Sequence, residues 1–442
     1  MEILIKVIQF LLSLSILVII HEFGHFLAAK LFKTRVEKFY LFFNPWFSIF
    51  KFNYGETEYG IGWLPLGGYV KIAGMIDESM DKEQLKKPPQ PWEFRSKPPW
   101  QRLIIMLGGV TMNILLAIII YIGMLLVWGD EYLPTSQVKY GIRVDSLAME
   151  AGLRDGDKII SIDNQQIENF NKIPEKIILD DAKTIQVERN GQVIDVNIPE
   201  EFVSKLIKQK KSSAFISVRI PFVVEKFTPK SAGKKAGIKV GDRIIGLNDK
   251  STPYFYDFYT ELQKHKDEDV AVVLVRNGDT LKINAKVPPE GKLGIYNKPL
   301  DNYFEFSKVK YSVGAAIPAG VVKAYKGVGN YLKQLKLLFN PKMKAYESVG
   351  GFITIGNIFP PTWDWHSFWS LTAFLSIMLA ILNVLPIPAL DGGHVMFLLY
   401  EIITRRKPSD KFMEHAQIVG MVILFALLIF ANGNDIIKLF RK

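Results

Sequence analysis

Val7-Ile-Gln-Phe-Leu-Leu-Ser-Leu-Ser-Ile-Leu-Val-Ile-Ile-His21-Glu22-Phe23-Gly24-His25-Phe-Leu-Ala-Ala29 is an apolar run interrupted by two histidines and a glutamate. As a helix rising about 1.5 Å per residue, it is long enough to cross a hydrocarbon core of about 30 Å. His21 and His25 stand four residues apart, so both imidazoles share one helix face and reach one metal ion. Glu22 lies beside them, placed to take a proton from a metal-bound water. Ionisable side chains at that depth are costly and point to function. The bland alternative is two histidines meeting polar partners within a helix bundle.

Three further stretches carry no Asp, Glu, Lys or Arg: Leu103–Trp128, Ser367–Leu390 and Ala416–Asn434. Four transmembrane helices are therefore expected. A cleaved signal peptide competes for the first, but Glu22 and two histidines stand where small residues and a cleavage site belong. Lys30, Lys33, Arg35, Lys38 and Lys51 follow the first span, and Lys97 and Arg102 precede the second. Arg405, Arg406, Lys407 and Lys411 lie between the third and fourth. The positive-inside rule puts both connections in the cytoplasm, and both termini and the segment from Gly129 to His366 on the far side. Lys438, Arg441 and Lys442 run against it.

The whole chain averages these runs away. It has 442 residues, 49% hydrophobic, no cysteine and a net charge of +11, yet its mean hydropathy is only +0.13. The middle third has the composition of a soluble protein. Without cysteine there is no disulfide scaffold and no thiolate-bound zinc or iron–sulfur site. The charge invites a nucleic-acid reading, but no basic reader motif accompanies it, and no nucleic-acid partner is expected.

That middle third repeats. Ser146-Leu-Ala-Met-Glu-Ala-Gly-Leu-Arg-Asp-Gly-Asp-Lys-Ile-Ile-Ser-Ile-Asp163 returns as Ser231-Ala-Gly-Lys-Lys-Ala-Gly-Ile-Lys-Val-Gly-Asp-Arg-Ile-Ile-Gly-Leu-Asn248, and Arg189-Asn-Gly191 as Arg276-Asn-Gly278. A period of about 85 residues is too long for a solenoid and implies two tandem domains. Each should hold a short helix ending at Ala-Gly, a Gly-Asp turn, an Ile-Ile strand and a hairpin turning at Asn-Gly. The Ala-Gly-(Leu/Ile)-x-x-Gly-Asp-x-Ile pattern resembles the PDZ domains of bacterial envelope proteases, which implies either strand-addition peptide binding or a steric filter against bulky substrates. Val321 to Leu338 mixes apolar residues with Lys323, Lys326, Lys333 and Lys336, as one or two amphipathic helices on a membrane or a neighbouring domain would.

Two histidines are one ligand short of the usual three in a catalytic zinc site. Asp391, in Asn383-Val-Leu-Pro-Ile-Pro-Ala-Leu-Asp-Gly-Gly-His394, is the first candidate; His394 and Glu401 are rivals. Pro386, Pro388, Gly392 and Gly393 break the helix there. Irregular backbone at membrane depth is tolerated only when buried in protein or lining a watery cavity.

HEFGH in the first helix, the tandem repeat and Asn-x-x-Pro-x-Pro-x-Leu-Asp-Gly-Gly-His together resemble the site-2 proteases, which are intramembrane zinc metalloproteases. The resemblance runs in order over essentially the whole chain and is nearest to the bacterial regulators of sigma-E. It implies Zn2+ held by His21, His25 and Asp391, with Glu22 as catalytic base and later proton donor. Asn383 would assist at the scissile bond. Gly60-Ile-Gly-Trp-Leu-Pro-Leu-Gly-Gly-Tyr-Val-Lys-Ile72 resembles the family's membrane-reentrant β-hairpin, so that Gly68, Tyr69 and their backbone would pair with an extended substrate. A cytoplasmic hairpin is the plainer reading. Gly108-Gly-Val-Thr-Met-Asn113 resembles a small-residue motif that permits close helix packing. Val349-Gly-Gly-Phe-Ile353 departs from the Gly-Pro found in relatives.

The expected fold is a multi-pass α-helical membrane protein with four transmembrane helices, a membrane-associated β-hairpin and two tandem extracytoplasmic PDZ-like α+β domains. Residues 1–30 form the first helix, 31–102 the hairpin region and 103–129 the second helix. The PDZ-like domains take 130–212 and 213–300, and an amphipathic segment 301–365. The third helix spans 366–404, and 405–442 hold the fourth and the C-terminus. The implied function is hydrolysis of pre-trimmed transmembrane proteins, such as an anti-sigma factor, and of signal-peptide remnants, in contact with membrane lipid. The implied place is a bacterial inner membrane, with the PDZ-like domains and both termini periplasmic. A membrane-anchored PDZ adaptor with a non-catalytic metal site is the alternative.

Overall fold

In the computed structural model, which describes residues 1–65, 67–75, 88–208, 215–341, 343 and 349–440, the run around His21 is one helix, α1 (Glu2–Leu31). It ends where Lys33 enters the left-handed region. A four-stranded sheet follows, built from β1 (Val36–Leu41), β2 (Phe43–Tyr54), β3 (Thr57–Leu64) and β4 (Tyr69–Ile72) in the order β2-β3-β1-β4. β2 and β3 are a true hairpin closed by Gly55-Glu56, with Gly55 at φ +58°.

This corrects the hairpin expected within Gly60–Ile72. β3 and β4 do not pair with each other; they flank β1, β3 parallel to it and β4 antiparallel. The reason is burial. Val36 and Tyr40 of β1 are 0% and 1% exposed, which requires a neighbour on each side. Pro65, which has no N–H, and Gly67, at φ +147°, carry the chain across; Leu66 lies outside the described residues.

α2 (Pro99–Val127) starts with proline at its first position, where no hydrogen bond is lost. It packs along α1. The later helices are α3 (Val313–Leu338), α4 (Phe352–Ile358), α5 (Trp365–Val384), α6 (Asp391–Thr404) and α7 (Asp410–Phe440). Among the described residues four helices are long and apolar enough to cross a membrane: α1, α2, α5 and Lys411–Lys438 of α7.

Their contacts are those of membrane helices, with small residues at close approaches and a few buried polar pairs. A Cβ on Gly24 of α1 would lie 2.2 Å from the Gly108 carbonyl oxygen of α2. Thr372 of α5 donates to the Ser13 hydroxyl at 2.9 Å, and Gln9 donates to the Pro360 carbonyl at 2.9 Å. The lysine-bearing segment is a single helix, α3, that buries Ala316, Gly320, Ala324 and Tyr331 and packs on α2 and α5. The segment 366–404, expected as one helix, is two. Pro386 and Pro388 cannot donate, Ala389 sits at φ +78°, and the chain restarts as α6 at Asp391. At the Gly-Gly departure, the Gly351 N–H donates to Asp435 of α7 at 2.9 Å, a bond proline could not make.

Met1–Gly129, Lys310–Phe339 and the C-terminal helices form one compact unit; Asp130–Val309 form the core of the other. In the second unit the sequence repeat is a structural repeat. The first copy holds β6 (Ile142–Val144), β7 (Lys158–Ile162), β8 (Thr184–Arg189), β9 (Gln192–Asn197) and β10 (Ile216–Val218). The second holds β11 (Phe222–Phe227), β12 (Arg243–Leu247), β13 (Lys250–Ser251), β14 (Asp269–Arg276), β15 (Asp279–Lys286) and β16 (Ile295–Asn297). Both late hairpins turn at Asn-Gly, with Asn190 and Asn277 at φ +53° and +54°. Arg189 pairs with Asp157 and donates to the Gly152 carbonyl; Arg276 does the same with Asp242 and Gly237. The boundary expected at 212 falls in 209–214, outside the described residues. β5 (Asp130–Tyr132) and β17 (Ser307–Val309) pair antiparallel and bring the ends of this unit together.

Candidate metal centre

Helical geometry puts His21 and His25 on one buried face of α1, both 7% exposed. α2 makes room for them with glycine: a Cβ on Gly109 would lie 2.5 Å from His25 Nε2 and 2.6 Å from His21 Cε1. The proline-broken turn after α5 delivers Asp391, first residue of α6, to the same point. Gly392 allows the tight approach, since a Cβ there would meet the Leu385 carbonyl oxygen at 2.2 Å.

Asp391 Oδ2 lies 3.2 Å from His21 Nε2 and 3.3 Å from His25 Nε2, and the two Nε2 atoms are 3.3 Å apart. The carboxylate oxygen is buried yet hydrogen-bonds to neither ring nor to any other described group. Three ligand atoms therefore face a common centre rather than one another. Tetrahedral zinc with ligands at about 2.0–2.2 Å requires ligand–ligand edges of about 3.4 Å, so this donor set fits that ion. His25 Nδ1 lies 2.9 Å from the Ile105 carbonyl oxygen, which accepts its proton and leaves Nε2 free as a ligand. Among the described residues these three are the one cluster with metal-ligand geometry.

The rivals are placed elsewhere in function. Glu401 receives a hydrogen bond from Arg102 at 2.5 Å, a part-buried ion pair joining the start of α2 to α6. His394 lines the cavity but is not one of the three converging residues.

The cavity beside the cluster measures about 410 Å³. Glu22 lines it together with Gly68, Tyr69, Val70, Met106 and Gln417. Its carboxylate faces the Val70 backbone amide of β4. β4 is the end strand of its sheet, and the cavity runs along it. Gly68 must be glycine for this approach: a Cβ would stand 2.6 Å from Val18 Cγ1 and 2.7 Å from the Tyr40 carbonyl oxygen. The Tyr69 ring stacks on Tyr40 and Phe43, and its hydroxyl donates to Asn44 Oδ1 at 2.9 Å. The Tyr69 side chain is thus used inside the sheet, and what β4 offers the cavity is largely backbone. Asn383, at the end of α5, brings Nδ2 to 3.1 Å from His21 Nε2.

Sequence reading named His21, Glu22, His25, Gly68, Tyr69, Asn383 and Asp391; six of them line one cavity, and Asn383 reaches it only through its contact with His21. It missed Gly109, the Ile105 carbonyl and Gln417. Only Gly109 left a signal, as part of a small-residue motif read as helix packing.

A family model described as Peptidase family M50 matches residues 9–427. Proteins of Xylella fastidiosa and Vibrio cholerae, both named "Putative zinc metalloprotease", are each 28% identical to the chain. The first alignment covers 97% of both chains; the second covers 99% of this chain and all of the relative. A "Regulator of sigma E protease" of Haemophilus influenzae is 27% identical, with 98% of both chains covered.

Proposed function

The chain belongs to peptidase family M50 and is a zinc metalloprotease, and from that premise we propose that it cleaves peptide bonds inside transmembrane segments. The observation that carries this is the convergence of His21, His25 and Asp391 next to Glu22, on helices of membrane-spanning length, in a cavity running along a sheet edge. His21, His25 and Asp391 would hold the zinc. The ion, when bound, supplies Lewis acidity to a water and to the scissile carbonyl.

Glu22 would accept a proton from a water at that position and deliver it to the leaving amine. Asn383 donates to the substrate near the cleaved bond. A membrane-spanning substrate is helical and shields its own peptide bonds, and unwinding it in lipid exposes costly N–H and C=O groups. The backbone of β4 around Gly68 and Tyr69 re-satisfies them by strand addition. β2 exposes Trp46, Phe47, Phe50 and Phe52, side chains suited to a lipid interface. The repeated modules are PDZ-like and lie in the periplasm of an inner-membrane protein, where they bind peptide or exclude bulky substrates. We take a membrane anti-sigma factor as the first substrate class, with signal-peptide remnants second; a relative named as a regulator of sigma E protease is in keeping with that choice.

Glu22→Gln in the purified chain should retain zinc and cut a short transmembrane substrate about 100- to 10,000-fold more slowly. Unchanged cleavage would remove Glu22 from the mechanism. Asp391→Ala should lower bound zinc; retention of one ion per chain would place the third ligand elsewhere.

A further inference from the structure

We infer that Asn113 is a positioning residue of the metal centre: it accepts the Nδ1 proton of His21 and so fixes Nε2 as that residue's ligand atom. The inference rests on the reading of His21 as a zinc ligand.

Asn113 lies on α2 and is 0% exposed. Its side-chain nitrogen is 3.2 Å from His21 Nδ1. Its side-chain oxygen is buried and makes no hydrogen bond to any described group. A neutral imidazole carries one proton, so a ring that offers Nε2 to a metal must hold that proton on Nδ1, where it needs an acceptor. His25 has such an acceptor in the Ile105 carbonyl. At His21 the corresponding position is held by the Asn113 amide.

The terminal torsion of asparagine is broad and roughly two-fold. A half-turn exchanges the two ends of the amide and brings the unpartnered oxygen to His21 Nδ1–H. One side chain thereby serves both states of the ring. It donates to Nδ1 when the ring's proton is on Nε2, and it accepts from Nδ1–H when Nε2 is a ligand. The position is well held, because the Ser376 hydroxyl of α5 donates to the Asn113 backbone carbonyl at 2.7 Å.

The test is zinc affinity of the full chain in detergent, measured by competition with a chromophoric chelator. Asn113→Leu, which keeps the volume and removes the acceptor, should weaken zinc binding about 10- to 100-fold. Asn113→Asp keeps an acceptor oxygen and should bind zinc close to the unsubstituted chain. Thermal unfolding of the chelator-stripped proteins should be alike, separating ligand orientation from folding. Equal affinity in Asn113→Leu and the unsubstituted chain overturns the inference, as does an Asn113→Asp loss as large as that of Asn113→Leu. His21→Ala, run alongside, tells the two readings apart. If it keeps zinc, His21 is no ligand; if it loses zinc while Asn113→Leu does not, the Asn113 assignment alone fails.

Discussion

Gly109 has no side chain, yet it decides whether two imidazoles can stand where they do. Its Cα faces the His21–His25 pair so closely that any Cβ would enter the rings. Gly109→Ala should therefore displace both ligands and weaken zinc binding about tenfold or more. Gly123→Ala, on the same helix with nothing within 4 Å of its Cβ, is the matched control and should bind zinc normally. Equal affinity in the two variants would mean that the rings tolerate displacement. The contrast shows what is legible at this scale. His21, Glu22 and His25 announce themselves through chemistry and spacing in one short segment. Gly109, the Ile105 carbonyl and Asn113 act across a helix interface, and their importance depends on a partner about 90 residues away.

β4 is four residues long and would attract little notice by itself. It matters because it ends a sheet and runs beside Glu22. Gly68→Ala puts a methyl against Val18 and the Tyr40 carbonyl, which should push β4 from α1. Cleavage should fall while zinc content stays at one per chain; loss of zinc in parallel would instead mean that the variant disturbs the ligand helix. In the second repeat the telling element is the Gly-Asp turn before β12. Burial opposes ionisation of Asp242, but hydrogen bonds from Arg276 and the Lys239 amide outweigh it and hold the carboxyl below its ordinary value. A lowered carboxylate pKa stabilises the fold above the unfolded value of about 4 and ceases to do so as pH falls through the folded value. Hydrogen-exchange protection of β12 and β14 should thus be flat above that range and decline below it. Asp242→Asn should lower protection at neutral pH and remove the acid-side decline; an unaltered pH profile would rule the pair out as its cause.

Taken whole, the chain carries a separable module. β5 and β17 are paired strands, about 5 Å apart, with Tyr132 opposite Ser307. A short turn replacing 133–306 therefore joins the flanking segments without strain. If the module filters substrates by size, the shortened chain should cleave trimmed and untrimmed substrates at similar rates, whereas the intact chain prefers the trimmed one. Unchanged discrimination would refute the filter. The repeat itself was plain from the sequence, because Gly-Asp and Asn-Gly turns and the arginine that ties them are local signals. So were four apolar spans and the metal-binding pattern on the first, since a period of 3.6 residues sets which side chains share a helix face. Asp391 as first ligand candidate and the proline break in the third span were likewise read from the sequence, whereas the engagement of Glu401 elsewhere and the insertion of β1 between β3 and β4 were tertiary decisions. Both turn on which surfaces pack: Arg102 pairs with Glu401, and the buried face of β1 requires two neighbours. Spacing along a chain sets local geometry, but only close packing brings together residues hundreds of positions apart.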